Sequence, residues 1–149
     1  MQIDDAIEDR VRTAFSAAID HNPDDLKATL GQFNARDFKI ATSYAIYVCG
    51  YVVTDVFNSK PSDEGIAELS EYVVNDNKSW IDLGSPNAIA NFLKAASTGD
   101  VKFPGVPEED VVGHSFVIGG YLLSRFRHEG QRWFEYLDGI WNAAQAAES

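Results

Sequence analysis

The sequence predicts an all-α fold, a single compact bundle of about seven helices forming one domain. Three observations predict it. Apolar residues recur at steps of three and four along most of the chain, which is one face of a helix. Twice, at Asn22-Pro23 and Ser85-Pro86, a capping residue precedes a proline at the first helical position, where its missing N–H costs nothing. No two alternating runs are joined by a hairpin turn. The 149 residues suit one domain and can bury a core without a metal or disulfide.

The first helix is expected from Ile3 to Asp20, with Ile7, Val11, Ala14, Phe15 and Ala18 on one face and Asp4, Asp5, Glu8 and Asp9 near its positive end. Asn22-Pro23 opens a short second helix carrying Leu26 and Leu30. Asn34 caps a third, Ala35 to Asn58, which is apolar on nearly every side, as a buried helix is. Its many β-branched residues make a strand the rival reading, but the run is long and lacks a turn signal. Lys60-Pro61 closes it, and Ser62 caps a fourth with Ile66, Leu69, Val73 and Val74. A polar turn at 75–79 follows. Ser85-Pro86 opens a fifth that Gly99 stops, and 101–107, with two prolines and a glycine, is a loop. A sixth is expected from Pro107 to His128. Gly130 marks a break or bend before a last helix with Trp133, Phe134, Leu137, Ile140 and Trp141, fraying from Ala143.

The two longest apolar helices share a pattern. Cys49-Gly50-Tyr51-Val52-Val53-Thr54 resembles Gly119-Gly120-Tyr121-Leu122-Leu123-Ser124. One reading is an internal pseudo-repeat, 22–75 and 85–142, giving two similar three-helix halves. The rival is chance similarity between two apolar helices, because the alignment needs gaps. Small residues weaken an isolated helix, so Ala41, Ala45 and Cys49 on one helix are expected to face Ser115 and Gly119 on the other across a tight central crossing.

The net charge is −11, from 12 basic and 23 acidic residues. Nucleic-acid binders concentrate Lys and Arg, so nucleic acid and anionic membranes are unexpected partners. Another protein, basic in character, fits better. The two longest apolar stretches without formal charge run only about 15 residues, short of the roughly 20 that span a bilayer. Met1–Asp9 is acidic, unlike a signal peptide, so the expected location is cytoplasmic. Cys49 is a lone thiol inside an apolar run and reads as core filler.

No phosphate loop, metal-protease, nucleophile-elbow, EF-hand or Cys-His motif is present. No catalytic residue, metal ligand or cofactor is therefore assigned, and the reading leans away from an enzyme. His21 lies among Asp20, Asp24 and Asp25, where turn chemistry outweighs metal binding. Arg125, His128 and Arg132, at i, i+3 and i+7, share a face beside Trp133 if the helix continues past Gly130. That face would take an anion or a partner, unless Glu129 and Glu135 merely neutralise it.

Tyr44 and Tyr51, with His114 and Tyr121, are candidates to line a pocket between the two central helices, against a simpler reading as core. The candidate partner surface is Glu64, Glu68 and Glu71, with Phe103 in the loop and Glu108 and Glu109 beyond it. The leading expectation is a non-enzymatic interaction module: a small acidic adaptor, inhibitor or chaperone-like protein. The alternative is a small-molecule binder or enzyme using the central pocket. A homo-oligomer is compatible with either.

Overall fold

The computed structural model describes residues 4–58, 61–99, 106 and 108–148. Among these residues seven helices follow one another: α1 (Asp5–Ile19), α2 (Pro23–Leu30), α3 (Ala35–Phe57), α4 (Asp63–Asn77), α5 (Pro86–Thr98), α6 (Glu108–Phe126) and α7 (Trp133–Glu148). No strand occurs among the described residues.

The capping chemistry read from the sequence sets the helix starts. Asn22, Asn34, Ser62 and Ser85 each accept, through the side chain, the backbone N–H three residues on. Asp4 does the same for Ile7 at 2.9 Å. Each bond satisfies one of the amides that a helix start leaves unpaired. The helix ends are less regular. Asn58 closes α3 in the left-handed region at φ 55°, and Gly99 closes α5 at φ 77°. α4 continues through the expected polar turn to Asn77, because the buried Asn77 amide donates to Val73 O at 2.8 Å and its oxygen accepts from Trp80 Nε1 at 2.9 Å. α7 runs to Glu148 instead of fraying at Ala143.

The helices pack in the spatial order α2, α1, α6, α3, α5, α4, and α7 lies against α6 and α3. α3 and α6 make the most extensive pair. Cys49 Sγ donates to Ser115 O at 3.5 Å across it, and a Cβ on Gly119 would sit 3.5 Å from the same sulfur. The expected small-residue crossing is thus present at Cys49, Ser115 and Gly119. Gly50 serves a different neighbour: a Cβ there would lie 2.2 Å from Ala96 O on α5. Gly119 and Gly120 also admit α1, through the Phe15 ring and Ala18. The packing order does not regroup the chain into two equivalent triplets, so the structure does not confirm the duplication.

α3 is 23 residues long and, by length and composition alone, could cross a membrane. Charged residues at both ends, Arg36, Asp37, Lys39 and Asp55, kept its uncharged stretch shorter than the helix. Here it is the bundle's central helix, with Ala41, Tyr44, Ala45, Val48, Val52 and Val53 buried.

Candidate functional site

The basic cluster expected on one helix face is divided. α6 stops at Phe126, and Gly130 takes φ 78°, a conformation glycine adopts without strain. Arg125 ends up in the last turn of α6, its guanidinium 5.8 Å from the centre of the Tyr72 ring. Arg132 stands before α7, 5.7 Å from the Phe134 ring, which meets Trp133 edge-on at 5.8 Å. Its backbone N–H donates to Glu135 Oε1 at 2.9 Å, so Glu135 caps α7.

His128 Nε2 lies 3.1 Å from Asp55 Oδ2, and Tyr136 OH donates to the same oxygen at 2.5 Å. The phenol bond holds the Asp55 carboxyl below its ordinary range, aided by His128 and opposed by partial burial. Asp55 thus ties the end of α3 to the α6–α7 connection and to α7.

The four residues proposed to line a central pocket have separate surroundings. Tyr44 is fully buried and meets Trp141 edge-on at 5.4 Å; its OH has no hydrogen-bond partner among the described residues. Burial pushes its ionisation upward. Tyr51 is half-buried beside Tyr47, ring centres 6.3 Å apart. His114 is buried, its Nδ1 without a partner among the described residues. Burial pushes its pKa down, against the pull of Asp110 and Asp82. Tyr121 faces α4 and donates to Asp76 Oδ2 at 2.5 Å. Cys49 fills the α3–α6 crossing as a buried thiol whose ionisation burial suppresses.

Tyr121 does open onto a cleft of about 380 Å³, at the surface where α1, α4 and α6 meet. Each helix contributes residues from its last turn: Ala18 and Ile19 from α1, Asp76 and Asn77 from α4, Ser124 and Arg125 from α6. His21 completes the wall. Its backbone is left-handed at φ 56°, uncommon for a residue with a side chain. The α1 end locks that conformation, with His21 N–H donating to Ala18 O and Asn22 N–H to Ala17 O. The His21 ring stacks on Trp80, centres 5.1 Å apart and planes 9° from parallel.

The acidic face of α4 leads into this cleft. Glu64, Glu68 and Glu71 are exposed, and none pairs with a cation among the described residues. Tyr72, 48% exposed, sits among them. Glu64, Glu68, Tyr72 and Asp76 follow at i+4 steps, neighbouring positions along a helix surface. Glu108 and Glu109 open α6, but their side chains lie outside the described residues, as does Phe103.

Sequence reasoning missed Asp76, the His21–Trp80 stack and the Asp55–Tyr136 bond. One signal was available for Asp76: it extends the Glu64, Glu68, Tyr72 series by one further step of four. Its contact with Tyr121, 45 residues away, had no local signature. Among the described residues no three His, Cys, Asp or Glu side chains converge as metal ligands. Compared with protein-family models, curated proteins and solved structures, the chain gives no match.

Proposed function

We propose that this chain is a non-enzymatic interaction module that engages a basic protein through the outer face of α4. The observation that carries the reading is the run Glu64, Glu68, Glu71, Tyr72 and Asp76, all exposed on one helix. The stripe from Glu64 to Asp76 spans about 18 Å at the helical rise of 1.5 Å per residue. Its carboxylates would steer a cationic partner. Tyr72 offers the large amphipathic ring enriched in interface cores. The net charge of −11 extends the same field over the molecule.

The test is charge reversal. The tagged protein is recovered from its own cell at low salt, and co-purifying proteins are compared with those of the Glu64→Lys, Glu68→Lys, Glu71→Lys variant. The variant should lose a basic partner that the parent retains, and the parent's capture should weaken as salt rises. Equal capture by both would sink the reading. The rival reading, a pocket between α3 and α6, has less support, because Cys49 packs against Ser115 and Gly119 there.

A further inference from the structure

We infer that the cleft at the ends of α1, α4 and α6 is the seat for a lysine side chain of the basic partner. The inference rests on the α4 reading but draws on separate groups. A helix C-terminus carries about half a negative charge, and three such ends border this one cleft. The α6 end is already met by the Arg127 guanidinium, which donates to Ser124 O at 2.9 Å, so the α1 and α4 ends supply the open potential. The Asp76 carboxylate adds a full charge at its edge and accepts only the Tyr121 hydroxyl among the described side chains, which leaves lone pairs for an ammonium.

Ser124 adds a hydroxyl, and Ala18 and Ile19 form an apolar wall. An ammonium on a four-carbon stem matches that combination: the stem covers Ala18 and Ile19 while the charged head meets Asp76. The cleft volume of about 380 Å³ accommodates such a side chain.

Among the described lining residues, Arg125 is the one cation that is always charged. Its guanidinium lies 5.8 Å from the centre of the Tyr72 ring, and no ion pair joins it to Asp76 among the described residues. An anion site would depend on Arg125. A lysine seat is opposed by it. The two assignments therefore predict opposite signs for the same substitution.

The experiment titrates the full-length, isotope-labelled protein with N-acetyl-lysine N-methylamide and follows backbone amide shifts by NMR. Saturable shifts are expected at Ile19, Asp76 and Ser124, and none with the norleucine analogue, which lacks only the ammonium. Asp76→Asn should weaken binding about tenfold, the loss of a charge-assisted hydrogen bond. Arg125→Gln should tighten it about threefold, the scale of one exposed charge pair. Absent or non-saturating shifts, equal shifts with the norleucine analogue, or weaker binding in Arg125→Gln would each overturn the inference. The titration involves no partner protein. Its failure leaves the α4 reading standing, and unchanged capture by the α4 reversal leaves a positive titration standing.

Discussion

The α3–α6 crossing and the α1–α4–α6 cleft lie on the same helix α6 and do opposite things with small and polar residues. At the crossing, Ser115 and Cys49 spend their polar atoms on backbone: Ser115 Oγ donates to Val112 O at 2.7 Å, and Cys49 Sγ to Ser115 O. Gly119 there leaves room for the Phe15 ring and the Cys49 sulfur. About two turns on, Tyr121, Ser124 and Arg125 keep polar atoms turned toward water and toward other helices. One helix therefore carries a dry seam and a wet rim. The difference is depth in the bundle, because polar atoms must be paired inside and can be left to solvent or a ligand outside.

The largest loss is expected from Gly50→Ala, which tests the dry packing of α3 on its other side, against α5. The new methyl would meet the Ala96 carbonyl at 2.2 Å, and the obstacle is backbone, which cannot rotate away. A loss of about 3 kcal/mol is expected despite alanine's better helix propensity, read as a lower urea midpoint. An unchanged midpoint would mean that α5 can move away from α3, and that this side of α3 is not tightly packed.

Asp55→Ala is expected to cost about 1.5 kcal/mol, because it strips the acceptor from the buried Tyr136 hydroxyl. The Asp55 carboxyl is more acidic in the fold than in the unfolded chain. Its contribution is therefore complete above the ordinary carboxylate pKa of about 3.9 and fades as pH falls through the lower folded value. The gap between wild type and Asp55→Ala should close over that acid window in paired urea melts. A constant gap would assign the cost to packing instead.

Tyr121→Phe should matter least, below about 0.5 kcal/mol, since both Asp76 and the phenol reach water and the ring is retained. A larger loss would move Tyr121 from the wet rim to the structural core of the comparison.

The elements were legible because their signals are local. Asn22, Asn34, Ser62 and Ser85 act on amides three residues away, and the apolar spacing repeats within each helix. The Cys49–Ser115 crossing was also legible, since small residues in long helices call for close backbone approach. The basic cluster failed at a boundary. Arg125, His128 and Arg132 share a face only on an unbroken helix, and Gly130, rather than continuing it, takes a left-handed turn. The pocket candidates Tyr44, Tyr51, His114 and Tyr121 have different neighbours, which periodicity on a single helix does not specify.

The sequence by itself determined the all-helical architecture, the helix starts, the acidic face of α4 and the tight pairing of its two most apolar helices. These follow from propensities and side-chain spacings that act within a few residues. Only the tertiary structure decided that three helix ends meet at His21, Asp76 and Arg125, and that Asp55 joins His128 to Tyr136. Those contacts depend on packing order and crossing geometry, which the summed burial of the whole core selects and no single segment encodes.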